Sequence, residues 1–302
     1  MRLKFQDPDT TAKGETRATV PLDHLDTLWL NTGTLCNLAC ANCYIESSPK
    51  NDRLVFLTRE EARGYLDEAK ALGTREIGIT GGEPFLNPHI LGIIQDALEL
   101  GFEVLVLTNA TRPMMRPRVQ EGLLALPREK LTIRVSLDHY TAELHDAERG
   151  NGEFDRALEG LGWLASNGFR FAVAGRRALG DEEPETREGY ARVLAECGIT
   201  LDSEDSKKLV LFAEMRPDDD PPEITTACWG ILNMKPSDIM CSSSRMVVKR
   251  KGAERPVVVS CTLLAYEKRF EMGETLAEAS GAVSLNHRWC ATFCVLGGSS
   301  CS

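Results

Sequence analysis

The feature that most constrains the fold is an alternation of short apolar runs with longer amphipathic ones between Leu25 and Ala213. Six short runs predict buried strands, which lie at 27–30, 77–80, 104–107, 131–137, 169–174 and 209–213. Five helices are predicted between them, at 58–72, 87–100, 119–126, 154–166 and 185–196. Because parallel strands need crossover connections, this order indicates a parallel α/β sheet. The periodicity leaves open whether the sheet is doubly wound or curled into a partial barrel.

The rhythm changes after the sixth strand. The stretch 216–223 is acidic and rich in proline, which is typical of a linker. Beyond it, Met246–Lys249 and Pro256–Ser260 predict a β-hairpin. We therefore divide the chain into an N-terminal extension (1–24), an α/β domain (25–216) and a small cysteine-rich domain that contains the hairpin (217–302).

Charge and hydropathy limit the classes of function. The sequence has 35 basic and 45 acidic residues, a net charge of −10, which argues against a partner with a phosphate backbone. No apolar stretch reaches the roughly 18 residues that span a bilayer, and the polar residues 1–16 do not resemble a secretory signal. We expect a soluble cytoplasmic protein without nucleic-acid or membrane partners. In a reducing cytosol, clustered cysteines more often bind metal or act in catalysis than form disulfides.

Three of the ten cysteines lie in one loop directly after the first strand. Cys36, Cys40 and Cys43 form a Cys-x3-Cys-x2-Cys run. Three thiolates so spaced can bind three corners of a four-iron cluster and leave the fourth iron open to another ligand. A zinc site that lacks one ligand is the alternative.

Polar loops follow the next strands, at the sheet edge where parallel α/β proteins place their chemistry. They are Thr80-Gly81-Gly82-Glu83-Pro84, Thr108-Asn109, Ser136-Leu137-Asp138 and Ala174-Gly175-Arg176. Glycines allow the backbone to approach a ligand, and a carboxylate such as that of Glu83 can bind an ammonium group.

The cysteine run and these loops together resemble the signature of the radical S-adenosylmethionine (SAM) superfamily over residues 25 to 215. The resemblance implies a partial (β/α)6 TIM-like barrel with a four-iron cluster on Cys36, Cys40 and Cys43. It also implies that the open iron binds SAM, and that one electron cleaves SAM to a 5′-deoxyadenosyl radical.

By the same resemblance, Gly81, Gly82 and Glu83 bind the methionine amino group of SAM. The remaining expected SAM contacts are Asn109 at the end of the third strand, Ser136 and Asp138 at the ribose, and Arg176 at the methionine carboxylate. Arg176 has a solvated surface position as its alternative. The sequence departs from the family at Asn42, where relatives usually carry an aromatic residue against the adenine, and Tyr44 is a partial substitute. We expect His145 to have a structural role or to be solvated.

A second group of cysteines lies in the C-terminal region and comprises Cys241, Cys261, Cys290, Cys294 and Cys301. A pair that flanks a hairpin, followed by cysteines in a later loop, resembles the twitch or SPASM domains that bind auxiliary clusters. The count favours one auxiliary four-iron cluster, with Cys301 the least secure ligand. A zinc site on the other four is the alternative. We expect Cys197 in the core. Cys228 follows the linker, from where it could approach either site, and the sequence assigns it no role.

The resemblance implies an enzyme that abstracts hydrogen from a small molecule or a peptide, for oxidation or cross-linking, with a flavodoxin or ferredoxin as reductant. The alternative is a metal-stabilised binding protein that does not cleave SAM. The sequence does not identify the substrate.

Overall fold

The computed structural model describes residues 3–177, 181–213 and 219–298. The strands in this part of the chain are β1 Thr19–Val20, β2 Thr27–Asn31, β3 Glu76–Thr80, β4 Glu103–Thr108, β5 Leu131–Ser136, β6 Arg170–Arg177, β7 Leu209–Ala213, β8 Ser244–Val248, β9 Val257–Val259 and β10 Val283–Ser284. The helices are α1 Arg59–Ala71, α2 Ile90–Glu99, α3 Pro117–Ala125, α4 Ala142–Arg149, α5 Glu153–Ser166, α6 Glu183–Glu196 and α7 Cys228–Ile231. The six predicted strands and five predicted helices are confirmed, with ends that differ by a few residues.

The main sheet has the order β7-β6-β5-β4-β3-β2-β8-β9. Strands β2 to β7 are parallel neighbours, and the order is linear within the described residues. The α/β class and the partial barrel are therefore confirmed. Three of the polar loops follow the carboxyl ends of β3, β4 and β5, whereas Ala174, Gly175 and Arg176 lie within β6, which is longer than predicted.

Alternation along the strands builds two hydrophobic cores. Ile77 and Ile79 of β3 face the helices and belong to the larger core, whereas Trp29 and Leu105 belong to the second core on the opposite face. Gly78 lies beside Trp29, and a Cβ there would come within 2.5 Å of the indole ring. Burial of one large apolar side chain contributes about 1.5–3 kcal/mol to stability. A shift of one residue in the strand pairing would turn the buried side chains to the other face of the sheet, so their burial fixes the register.

The capping box predicted at the start of α1 is present. Thr58 accepts a hydrogen bond from the backbone N–H of Glu61, and the Glu61 carboxylate accepts one from the backbone N–H of Thr58. The helix buries Ala62, Tyr65, Leu66 and Ala69 against the larger core.

The C-terminal region packs on the barrel. The predicted hairpin is confirmed as β8 and β9, and β8 also pairs in parallel with β2, so the hairpin extends the barrel sheet. Residues of the N-terminal extension pair with the C-terminal region through β1 and β10. The last predicted cysteine loop is a helical turn over Cys290–Val295, which is a correction of that expectation. The start of the predicted linker, 216–218, lies outside the described residues.

None of the helices in the described ranges combines the length and the hydrophobicity that crossing a bilayer would require.

Candidate functional site

The three N-terminal cysteines lie together at the carboxyl ends of the barrel strands. Cys36, Cys40 and Cys43 line one cavity of about 120 Å³. The loops after the next strands complete its wall, with Gly81, Gly82, Asn109, Ser136, Arg149 and Arg176 among the lining residues. The structure thus brings together most of the residues that the sequence singled out for cluster and SAM binding.

Burial disfavours the thiolate form of the first two cysteines. Burial raises the pKa of Cys36 to about 12. It also raises the pKa of Cys40, although the nearby Arg149 guanidinium acts in the opposite direction. A thiolate in such surroundings needs a positive partner, which a metal centre supplies. The chemistry of this donor set therefore fits a thiolate-bound metal group.

The two glycines place the loop after β3 directly against the start of the cysteine loop. Gly82 donates its N–H to the carbonyl oxygen of Gly33 at 2.7 Å, and Glu83 donates its N–H to that of Leu35 at 3.1 Å. Gly81 has φ +149, and a Cβ there would lie 2.5 Å from the Gly33 carbonyl oxygen. A side chain at either glycine would push the two loops apart.

The carboxylate of Glu83 is buried, and its oxygens accept three hydrogen bonds from the protein. The donors are the backbone N–H of Phe85 at 3.1 Å, the Thr108 hydroxyl at 2.8 Å and the backbone N–H of Asn109 at 2.9 Å. Burial raises the pKa of Glu83, and these hydrogen bonds oppose the rise. Glu83 thus ties the glycine loop to the end of β4, and its contact with an ammonium group stays a prediction.

Asn109 points at the cysteine loop. Its side-chain amide donates to the Cys36 sulfur at 3.8 Å and to the Asn37 oxygen Oδ1 at 3.0 Å. Its own Oδ1 accepts from the backbone N–H and the hydroxyl of Thr111. The side chain therefore orients the first cysteine as well as lining the cavity.

Asp138 lies in a buried ionic network after β5. It forms a two-pronged ion pair with Arg149, at 2.6 and 3.0 Å, and lies 3.4 Å from Arg176. Burial alone would raise the pKa of Asp138, but the charge of Arg149 outweighs it and the pKa is lowered. The carboxylate is therefore ionised, and Asp138 lines the larger cavity described next.

A cavity of about 470 Å³ adjoins the cysteine cavity. Its polar side includes Asn42, Ser136, Asp138, Arg149 and Arg176. Its apolar side includes Leu107 and Phe212 from the barrel, and Leu263, Trp289 and Phe293 from the C-terminal region. Tyr44, the expected substitute for an aromatic neighbour, also lines it. The size and the mixed lining are those of a small-molecule site.

The sequence analysis predicted neither helix α4 nor a role for its residue Glu148. The signal that could have revealed the helix is the pair Thr141 and Gly150, which cap its two ends. Glu148 accepts hydrogen bonds from the backbone N–H of Asn42 at 2.7 Å and from its side chain at 2.9 Å. Arg176 bonds to Glu148 at 3.1 Å and to the Asn42 carbonyl at 3.3 Å.

His145 of α4 is fully buried, and its Nδ1 accepts from the backbone N–H of Asp138 at 3.1 Å. Burial lowers the pKa of His145 to about 4, so the ring is neutral. The structural role expected for this histidine is confirmed.

Four of the five C-terminal cysteines meet in a second place. Cys241, Cys261, Cys290 and Cys294 line one apolar cavity of about 20 Å³. Burial raises the pKa of both Cys241 and Cys290 to about 12. Cys301 lies outside the described residues. Leu263 and Trp289 line both this cavity and the 470 Å³ cavity, so the two sites share a wall.

Two further cysteines stand apart from these groups. Cys197 is exposed at the end of α6, so the expectation of a core position was wrong. The Cys228 sulfur accepts a hydrogen bond from the backbone N–H of Thr225 at 3.3 Å. As the side chains stand, the described ranges contain no group of three His, Cys, Asp or Glu residues that could hold a metal ion.

Comparison with known proteins gives a family match over more than half of the chain. A model of the Radical SAM superfamily matches residues 30–194. The matched range begins within β2 and ends within α6, and it includes the three cysteines and all the polar loops described above.

Curated relatives match over a shorter part of their own length. The AdoMet-dependent heme synthase of Methanosarcina barkeri is 33% identical over 142 residues, 46% of this chain and 38% of that protein. The antilisterial bacteriocin subtilosin biosynthesis protein AlbA of Bacillus subtilis is 35% identical over 140 residues, 46% of this chain and 30% of AlbA. The chain thus spans about a third of the length of these relatives.

Among solved structures, SuiB of Streptococcus suis bound to S-adenosylmethionine has a TM-score of 0.58 at 15% identity, over 83% of this chain and 63% of SuiB. SuiB bound to the precursor peptide SuiA gives a TM-score of 0.58 at 14% identity, over 84% of this chain and 63% of SuiB. At this identity the similarity concerns the fold.

Proposed function

The chain belongs to the radical SAM superfamily, and from that premise we propose that it cleaves SAM reductively and uses the 5′-deoxyadenosyl radical to abstract hydrogen from a substrate. The family implies an enzyme with a four-iron cluster and SAM. Cys36, Cys40 and Cys43 are the proposed cluster ligands.

One observation carries this proposal, namely that the three thiols and the glycine loop line the same cavity. Each cysteine of such a site binds its own iron, so the thiols need not converge on a single atom. Three ligands leave one iron for SAM, and Gly81 and Gly82 of the same cavity are proposed to contact that ligand.

The larger cavity is the proposed place for the rest of SAM and for the substrate. The two cavities share Cys43, Tyr44, Leu107, Ser136, Arg149 and Arg176. Ser136 and Asp138 are proposed to bind the ribose hydroxyls. Arg176 already pairs with Asp138 and Glu148, so a SAM carboxylate at Arg176 would have to share the guanidinium with them.

The apolar wall that remains is suited to a substrate group. Phe212 and Phe293 stack with their ring centroids 5.6 Å apart, and Leu263 and Trp289 continue the same surface. We propose a small-molecule or peptide substrate that is oxidised or cross-linked. SuiB has been solved with a precursor peptide, which supports a peptide, whereas the heme synthase among the relatives supports a small molecule.

We further propose that Cys241, Cys261, Cys290 and Cys294 bind an auxiliary four-iron cluster in a twitch- or SPASM-like region that spans 217–302. Their common cavity supports a shared ligand. Its volume of about 20 Å³ is room for little more than one water molecule, which suits a single ion better than a four-iron cluster and makes zinc the second candidate. Iron near eight per chain supports the cluster, and iron near four with one zinc supports the rival.

The proposed partners and setting follow from the same chemistry. The cluster needs one electron for each cleavage, which a flavodoxin or a ferredoxin would supply. Nine free cysteines in the described ranges accord with a reducing cytoplasm.

The direct test is anaerobic reconstitution with iron and sulfide, reduction, addition of SAM and quantification of 5′-deoxyadenosine. The wild type is expected to form it, whereas Ala variants at Cys36, Cys40 or Cys43 should not. Cys197→Ala, an exposed cysteine far along the chain, is the matched control and should retain formation. Bound SAM without product would favour a binding protein, and cleavage by a triplet variant would refute the ligand assignment.

A further inference from the structure

The turn between the second and third cysteines of the triplet is held by a single residue of α4. Ala41 donates its backbone N–H to the Glu148 carbonyl oxygen at 2.8 Å, and Asn42 donates its backbone N–H to the Glu148 carboxylate at 2.7 Å. The Asn42 side chain donates to the other carboxylate oxygen at 2.9 Å. Both residues between Cys40 and Cys43 are therefore fixed by Glu148.

Glu148 is itself held in place from several directions. Arg176 bonds to its carboxylate and reaches the Asn42 carbonyl, so the guanidinium closes the contact from the other side. Within α4, His145 accepts from the backbone N–H of Asp138 in the loop after β5, and Asp146 accepts from two backbone N–H groups at the start of α5, at 2.6 and 2.9 Å. The helix thus connects the cysteine turn to the rigid barrel.

Ala41 and Asn42 are exposed, but the Glu148 side chain that they contact is largely shielded from solvent, unlike an ordinary surface ion pair, which contributes little to stability. The Glu148 side chain is 13% exposed, and its bonds to Asn42 join residues 106 apart in sequence. Hydrogen bonds to an ionised carboxylate are stronger than those between neutral groups. The chain around the turn has no strand or helix of its own between β2 and α1, so Glu148 replaces the support that regular structure would give.

We propose that Glu148 is the positioning residue of the three-cysteine site, and that it fixes the Cys40–Cys43 turn so that both thiols face the same cavity before any metal binds. This inference deepens the proposed function, because the site that Glu148 positions is the proposed cluster site. Outer contacts of this kind orient metal ligands and commonly change metal affinity 10- to 100-fold when removed.

The first test uses the metal-free protein and does not depend on the proposed function. In Glu148→Ala, amide hydrogen exchange at Asn42 is expected to accelerate about tenfold or more. Exchange at Ala41 should change much less, because its acceptor is the main-chain carbonyl that the variant retains. Glu143→Ala, an exposed glutamate of the same helix, is the matched control and should leave both amides unchanged.

The second test measures the site after reconstitution, as the rate at which a chelator removes iron. Glu148→Ala is expected to lose iron about tenfold faster than the wild type and Glu143→Ala, with Glu148→Gln between them because one acceptor oxygen remains. If Glu148→Ala does not fold, Asn42→Ala removes the side-chain bond from the loop and should accelerate iron loss in the same direction.

Unchanged exchange at Asn42, or faster exchange with iron loss at the wild-type rate in every variant, would overturn the proposal. If the wild type binds no iron while exchange at Asn42 responds as expected, the proposed function fails and the role of Glu148 in the turn stands.

Discussion

Replacing Gly82 by alanine is expected to destabilise the protein and loosen the three-cysteine site. A Cβ at this position would lie 2.6 Å from the carbonyl carbon of Leu35 and 2.7 Å from the oxygen of Thr34. The first separation is about 0.9 Å shorter than the roughly 3.5 Å at which two carbon atoms attract each other, and the second is also well inside contact distance. Both contacts are with backbone, which cannot rotate away, so the loop after β3 must move from the start of the cysteine loop.

The cost follows from two contributions. Forcing a methyl group into a packed site costs about 1–3 kcal/mol. The shift also breaks the hydrogen bond from the Glu83 N–H to Leu35, which adds about 1 kcal/mol. The free energy of unfolding should therefore fall by about 2–4 kcal/mol, measured by urea denaturation of the metal-free protein.

Gly64→Ala provides the control with the opposite sign. Gly64 lies inside α1, and a Cβ there meets nothing within 4 Å. Alanine should raise the free energy of unfolding by about 0.5–1 kcal/mol, because it has the higher helix propensity. If Gly82→Ala is as stable as the wild type and holds iron equally well, the close approach of the two loops is not required and this reasoning is refuted.

Three further predictions concern the buried charges and the cysteines. Asp138→Asn leaves Arg149 without its carboxylate in a buried site and should lower the free energy of unfolding by about 3 kcal/mol in urea denaturation; a loss below about 0.5 kcal/mol would contradict the ion pair. The pKa of His145 is about 4 in the folded protein and about 6.5 when unfolded, so stability is lost as the pH falls from about 6.5 to about 4. The slope of the free energy of unfolding against pH reports how many more protons the unfolded state binds, and His145→Gln should reduce that number by up to about one between these pH values. An unchanged slope would contradict the prediction. Cys290→Ala should lower the iron content from about eight to about four per chain without abolishing 5′-deoxyadenosine, and equal iron in variant and wild type would contradict the auxiliary cluster.

The strands and helices of the α/β domain were predicted well because the strands are short apolar runs bounded by clear helix signals, whereas the partial barrel was implied only by the family resemblance. It also predicted the hairpin of β8 and β9, but not that β8 pairs with β2. A parallel pairing between strands more than 200 residues apart leaves no local trace, since it depends on which sheet edge is free after folding.

The candidate site was likewise predicted only in part. The cysteines and the loops at Gly81 and Ser136 were visible because each motif follows a strand. The role of Glu148 was not visible, because a glutamate in a short polar helix has the pattern of a solvated face. Asn42 was identified only as a departure from the family, whereas in the structure its backbone N–H and its side-chain amide both donate hydrogen bonds to the Glu148 carboxylate. Cys197 was misplaced because an isolated cysteine in an amphipathic stretch carries little information on burial.

The central claim is that three cysteine ligands leave one iron of the cluster open to SAM. It is tested most directly by electron paramagnetic resonance of the reduced Cys290→Ala variant, which isolates the first cluster, with SAM labelled with ¹⁵N at the amino group and ¹⁷O at the carboxylate. We predict that the spectrum shifts when SAM is added and shows hyperfine coupling to both labels. A spectrum that SAM leaves unchanged, without coupling to either label, would contradict the account.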